Sequence, residues 1–295
     1  SVGVEEVVLV TDNCRELYEV ARERWKGAQS PRVRVMENRF REHLEGEGME
    51  AHTRAHGAVR RFGAGTARNS AVETIDSEIV AFLDDDAWAE RTWLELMMTL
   101  YEDPSIVAAT GPPQPAFESE APEWYPESFY WVFGCGYAGL PDHVAPAKRI
   151  FGGNMSARRS ALVAVGGFQS VDFDDIDICM RLLERYGERS VLHVPNALIH
   201  HYVPDDRATW RYFCRRTYFV NKEKVLAFRE MGTAANLAAE RDFVFRMLRQ
   251  QLVLTLGQAA QGRAGALRSI GAMLIGTALA GFGHLHGRLD ALRSG

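Results

Sequence analysis

Three consecutive carboxylates close an apolar run in SEIVAFLDDDAW, residues 77–88. Asp84, Asp85 and Asp86 are donors of the kind that hold a metal ion. The spacing alone proves little, because Asp-x-Asp arises by chance roughly once in a chain this long at background composition. Position adds weight. EIVAFL reads as a buried strand, and open α/β sheets bind ligands at the carboxyl ends of their strands. A carboxylate trio delivered there is costly unless a cation or hydrogen-bond donors compensate it. The competing reading is a solvated turn with an aspartate near a helix start.

The elements that must position these acids alternate. Val7–Val10 and Val33–Met36 read as strands, as do Ile79–Leu83 and Ile106–Ala109. Thr11-Asp12-Asn13 reads as a helix cap, and helices are expected over 15–25, 66–75, 90–102 and 175–186. Gly187 is a natural C-cap for the last of these. SVLHVPNALIHH reads as two short strands broken by Pro195, and from residue 208 onward the pattern is helical. Residues 39–62 are charged and glycine-punctuated, which predicts a loop or a poorly packed helix. Alternating strands and helices imply an α/β fold with an open, mostly parallel sheet flanked by helices, plus a helical C-terminal region. The expected division is a catalytic domain over 1–207 and a helical region over 208–295.

The net charge is −5, which gives no sign of a nucleic-acid partner. The charge is uneven, however. Residues 207–295 carry 14 Lys/Arg against 5 Asp/Glu, about +9, leaving about −14 for the rest. A basic helical tail suits phosphates, an acidic partner, an anionic membrane surface, a dimer contact or plain solvent. Ile270–Phe282 is apolar but too short to span a bilayer, so a packed or interfacial helix is expected. Cys14, Cys135, Cys179 and Cys214 form no Cys-x-x-Cys and read as reduced thiols in a cytoplasmic protein. His52 and His56 stand at i,i+4, a metal spacing on a helix, but lack a nearby third ligand and read as chance.

Four stretches in order now resemble the family 2 glycosyltransferases, which have the GT-A fold. GAGTARNSAVETIDSEIVAFLDDDA (63–87) resembles the run into that family's Asp-x-Asp. FGGNMSARRSALVAVGGF (151–168) resembles its loop with an Asn and an Arg, ending in Gly-Gly-Phe. DFDDIDICMRL (172–182) resembles its Glu-Asp motif, with Asp174 in the place of the Glu. VPNALIHHYVP (194–204) resembles the strand and histidine that follow. The likeness runs over about residues 4–220. Family members also open with a strand whose turn contacts the nucleotide base, and no such strand precedes Val7.

The resemblance implies inverting transfer of a sugar from a nucleoside-diphosphate sugar, commonly a uridine one, to a hydroxyl acceptor. Asp84 would touch ribose or base, Asp85 would orient the loop, and Asp86 would ligate Mn2+ or Mg2+, which neutralises the departing diphosphate. Inversion needs a base on the acceptor hydroxyl. Asp175 matches the family's catalytic Asp, with Asp174 beside it, although either also suits a helix N-cap. Asp177 and Arg181, at i,i+4, read as a structural pair. Strand alternation lets only one of His200 and His201 face the site, and His201 is the expected third ligand. Arg68 and Asn69 begin a helix near the donor, where phosphate binds well. Gly153 and Asn154 are expected to line the sugar pocket. Trp124, Tyr125, Phe129, Tyr130, Trp131 and Tyr137 are either an acceptor wall or core.

The basic helices suggest a lipid-linked or otherwise anionic acceptor, with the protein peripheral at the inner face of the cell membrane and the 264–283 helix resting on it. Two further readings stay open. One is a non-catalytic nucleotide-sugar binder or scaffold, suggested by the missing opening strand. The other is a sugar-phosphate nucleotidyltransferase, which needs its glycine-rich loop far upstream of the metal aspartate. GAGTAR lies only about twenty residues before Asp84, too close for that class.

Overall fold

VVLV and VRVM are β-branched runs that suit a pleated, half-buried surface. They form β1 (Glu6–Thr11) and β2 (Arg32–Glu37), paired parallel from Glu6↔Arg32 to Thr11↔Glu37, with α1 (Arg15–Arg24) between them. The computed structural model describes residues 3–12, 14–39, 63–169, 173–230, 237–263 and 265–293, without the side chains of 226–230 and 237–246. Asn13, His52, His56, all but the first residue of the charged 39–62 segment, and residues 170–172 therefore lie outside it.

The chain folds as two units, each built from segments that are distant in sequence. One comprises residues 1–82, 92–110 and 146–194; the other comprises 83–91, 111–145 and 195–295. Neither follows the expected boundary at residue 207.

In the first unit, α2 (Ala64–Thr74) is followed by β3 (Ile79–Leu83). Between β3 and the next sheet strand lie β4 (Ala87–Ala89), which belongs to the second unit, and α3 (Trp93–Met98), continued by a 3-10 turn over Thr99–Glu102. Thus the helix expected over 90–102 is split in two. β5 (Ala108–Thr110) sits at the middle of a five-stranded sheet. It runs antiparallel to β8 (Asn154–Arg158) and parallel to β9 (Val191–His193), with β3 and the two-residue β7 (Ala145–Pro146) at the edges. The α/β class holds, but the sheet is mixed rather than mostly parallel. β8 enters after the tight Gly152–Gly153 turn and not by a helical crossover, which allows an antiparallel neighbour. α4 (Arg159–Ala164) and α5 (Asp174–Tyr186) cover the sheet, and Gly187 caps α5 at φ +93°. Val80, Phe82, Met155, Ile178, Leu182 and Val191 form the heart of this core.

Asp12 serves a different helix from the one expected. Its Oδ2 accepts from Gly63 N (2.8 Å) at the start of α2, and its Oδ1 accepts from Asn38 Nδ2 (2.9 Å). The N-cap of α1 is Cys14, without a side-chain bond.

In the second unit, β10 (Ile199–Val203) is the central strand, antiparallel to β4 and parallel to β6 (Pro113–Phe117). A separate aromatic core gathers Tyr125, Phe129, Phe133 and Phe213. Three helices follow: α6 (Trp210–Glu230), α7 (Leu237–Ala260) and α8 (Ala266–Arg293). α8 is longer than the apolar run Ile270–Phe282 suggested, and by length and composition it is enough to cross a membrane. The polar residues after Phe282 end the apolar run without ending the helix.

Candidate functional site

The acidic turn hangs from β10. Ala87 N donates to Asp84 O (3.2 Å), Tyr202 N donates to Asp86 O (2.8 Å) and Glu90 N donates to Leu198 O (3.0 Å). The backbone is thus clamped on both sides of β4 while the side chains of Asp84 and Asp85 face solvent. The β4–β10 register sets His201 opposite Ala87 and His200 opposite Trp88. Alternation then sends the two imidazoles to opposite faces. His200 stacks on Trp88 and meets Glu90 Oε1 at 2.6 Å. His201 turns the other way, with Nε2 3.5 Å from Asp86 Oδ2. That nitrogen is shut off from solvent and has no hydrogen-bond partner among the described residues. A buried imidazole nitrogen beside a carboxylate is a donor set that fits a divalent cation. Among the described residues no three His, Cys, Asp or Glu converge. A cation here would therefore draw its remaining ligands from water or from a bound phosphate. Cys135 lies in this unit too, but burial, with the charge of Asp86 adding to it, pushes its thiol up to about 12. It is inert at neutral pH.

The second acidic group is built differently. Phe173 is the N-cap of α5, so Asp174 and Asp175 are first-turn acids rather than the cap itself. Asp174 is mostly buried, its side chain 14% exposed, and receives Arg68 Nη1 at 2.6 Å. Burial raises its carboxyl to about 6; Arg68 pulls it down and Asp175 pushes it up. Asp175 Oδ1 accepts from Ile176 N (2.8 Å), and its Oδ2 lies 3.7 Å from Arg149 Nη2. Nothing in the sequence flagged Arg149, whose guanidinium also rests over Phe151 at 5.2 Å. Its one signal is a basic residue just ahead of the FGGN loop. Asp177 and Arg181 form the expected pair, and Arg181 also donates to the carbonyls of Val165 and Gly167 (2.6 Å for the latter). The clasp holds the Gly-Gly-Phe loop to α5.

Several residues expected at the donor are committed elsewhere. Besides Asp174, Arg68 faces Phe168, and a Cβ on Gly152 would make a tight 3.0 Å contact with Arg68 Nη1. Asn69 accepts from Phe168 N (2.9 Å) and donates to Phe168 O (2.8 Å), so its amide reads a backbone and not a phosphate. Asn154 is fully buried, with Oδ1 taking Trp93 Nε1 at 2.6 Å. It is a core amide rather than a pocket donor, while Gly153 keeps partial exposure in the turn. The aromatic group follows the packing alternative: Tyr125 and Phe129 stack around Phe213, with Trp124, Tyr130 and Trp131 against them.

Residues 56–166 match the model of glycosyl transferase family 2. Among relatives, the glucosyl-dolichyl phosphate glucuronosyltransferase of Haloferax volcanii is 30% identical over 172 residues, 55% of this chain and 55% of that protein. The pre-mycofactocin glycosyltransferase of Mycobacterium tuberculosis is 27% identical over 204 residues, 67% of this chain and 42% of that protein. The chain thus spans about half the length of these relatives. Among solved structures, GalNAc-T7 with UDP, GalNAc and Mn2+ aligns over 81% of this chain and 47% of that chain, at TM-score 0.47 and 14% identity. Glucosyl-3-phosphoglycerate synthase of Mycobacterium tuberculosis with Mn2+, UDP and glucosyl-3-phosphoglycerate aligns over 68% and 60%, at TM-score 0.37 and 15% identity.

The matched segment contains the Asp84–Asp86 turn, Arg68, Asn69, Arg149 and the Gly153–Asn154 turn. It ends before Asp174 and Asp175 on α5 and His201 on β10.

Proposed function

We propose that this chain is a glycosyltransferase that moves a sugar, with inversion, from a nucleoside-diphosphate sugar to a hydroxyl acceptor. UDP is the expected carrier. The observation that carries the reading is the pairing of Asp86 with His201, whose Nε2 is buried without a hydrogen-bond partner among the described residues. Such a nitrogen costs stability unless something coordinates it. Asp86 and His201 would hold Mn2+ or Mg2+, and a bound cation supplies charge neutralisation for the departing diphosphate. Asp84, exposed on the same turn, is assigned to the nucleotide's ribose or base, and Asp85 to orienting the turn.

Asp175 is assigned as the base. Of the two adjacent aspartates it is the more exposed, and its contact with Arg149 is looser than that of Asp174 with Arg68. An inverting transfer needs one carboxylate to accept the acceptor's hydroxyl proton as the sugar bond forms. Asp174, with Arg68, is assigned to hold the start of α5 in place. The free cysteines support the cytoplasm as its compartment.

The test is thermal stability with UDP, GDP, TDP and CDP, each with and without Mn2+, on the wild type and Asp86→Ala. A ligand that binds only the folded state raises the melting temperature by mass action. The expected result is a Mn2+-dependent rise with UDP that Asp86→Ala abolishes. A UDP shift of equal size without metal, or one retained in the variant, would overturn the metal assignment. No shift with any nucleotide would overturn the proposed activity.

A further inference from the structure

α8 is amphipathic the wrong way round for a core helix. Its small residues face inward. A Cβ at Gly283 would stand 2.2 Å from Tyr218 O, and one at Gly287 would stand 2.4 Å from Lys222 O, so these glycines let α8 press against the α6 backbone. Many of its large residues face outward, while Met273 and Ile270 pack inward. Leu267, Leu274, Phe282, Leu285, Leu289 and Leu292 are all exposed, the first at 75% and the last at 79%. At about 100° per residue they fall on a single stripe about 80° wide. Arg268 and Arg293 border that stripe on one side and Arg288 on the other, all exposed. A contiguous apolar face of this kind marks an interaction surface.

We propose that this face of α8 lies in the plane of an anionic lipid bilayer, with its leucines and Phe282 among the acyl chains and the bordering arginines at the headgroups. The charge chooses the occupant. Residues 207–295 carry 14 Lys/Arg and 5 Asp/Glu, so a second copy of the chain would set one cationic rim against another. Anionic lipid compensates the same rim, and long arginine side chains reach headgroups while their stems stay apolar. The packing chooses the orientation. α8 is long enough to span, but it cannot enter the bilayer without α6, and α6 carries Arg211, Arg215, Arg216, Lys222 and Lys224. Charges on that scale do not enter hydrocarbon, so the helix lies flat. This inference is independent of sugar transfer.

The experiment is flotation of the full chain with phosphatidylcholine vesicles, with and without phosphatidylglycerol. The variants are Leu274→Glu/Leu285→Glu, at exposed positions, and Val163→Glu as an exposed control. The wild type and the control are expected to float only with phosphatidylglycerol, and the double variant to stay at the bottom with an unchanged melting temperature. Wild type left at the bottom with both vesicles would overturn the proposal. So would equal flotation with pure phosphatidylcholine, or flotation of the double variant. A dimer by light scattering that the double variant splits, without flotation, would give the face to a second copy instead.

Discussion

The two aspartate groups have nearly the same composition and opposite surroundings. At the start of α5 each carboxylate has a guanidinium: Asp174 has Arg68 at 2.6 Å, Asp175 has Arg149 at 3.7 Å and Asp177 has Arg181. At the end of β3 the trio faces outward, and the ion contact at Asp86 is the imidazole of His201, 3.5 Å away. The α5 group is largely compensated by the protein itself, so much of its work is structural. The β3 group presents its carboxylates to solvent, as a ligand site must. Within the α5 group the arginine contact loosens at Asp175, and that gradient separates the proposed base from its neighbours.

The largest expected effect tests that gradient. Asp175→Asn removes the proton acceptor, and the transfer rate is expected to fall about 10²- to 10⁴-fold, the usual worth of a general base. The nucleotide-induced rise in melting temperature should survive. Asp174→Asn should instead cost much less in rate, because Asp174 is assigned to hold the start of α5 and not to take the proton. Comparing both rates with both melting curves decides the matter: equal losses of rate would erase the distinction between the two acids.

Next in size is the clasp. Arg181→Leu takes from Asp177, buried beneath the Gly-Gly-Phe loop, its guanidinium partner. Removing one partner of a buried pair typically costs about 3–5 kcal/mol. Arg181 is one-fifth exposed, so the lower end, about 3 kcal/mol, is expected in urea unfolding. Below the melting transition the variant should keep its nucleotide binding. Loss of binding in a folded Arg181→Leu protein would mean that the clasp belongs to the site.

What the sequence made legible follows from how local each cause is. VVLV, VRVM and IVAFL announce strands because β-branched and apolar runs act within the run itself. PQPAF and NMSAR became β6 and β8 without such a signal, since one carries prolines and the other is polar yet buried. The parallel expectation for the sheet failed at β8 for the same reason: an unseen strand cannot be given a direction. At the site, alternation was enough to say that His200 and His201 part company, and the 3.5 Å approach of His201 Nε2 to Asp86 Oδ2 shows which of them meets the acid. The burial of Asn154 was not legible because its partner, Trp93, lies 61 residues away, and Arg149 was missed because its contact with α5 exists only through space. Glycines 283 and 287 disguised the length of α8 by breaking its hydropathy, although they are what packs it.

A smaller effect tests the outward-facing group. His201→Ala should weaken the apparent Mn2+ affinity by about tenfold or more, since even residues behind a ligand are worth 10–100-fold. His200→Ala should leave it unchanged, because that ring is held by Glu90 and Trp88. Titrating Mn2+ at fixed UDP and following the melting temperature reads both. If the His200 variant were the weaker binder, the side assigned to each histidine would be wrong.

The smallest effect concerns pH and separates burial from compensation at Asp174. An ordinary aspartate titrates near 3.8, whereas burial lifts Asp174 to about 6 against the pull of Arg68. Between those values the folded state holds more of this proton than the unfolded state does. Stability contributed by this group is therefore full below about pH 4 and is lost as the pH rises through about 6. Melting curves of wild type and Asp174→Asn from pH 4 to 7 should thus converge or cross, with wild type falling relative to the variant as the carboxyl ionises. A wild type that gains on the variant over the same window would mean that Arg68 outweighs burial, and that Asp174 is as fully compensated as Asp177.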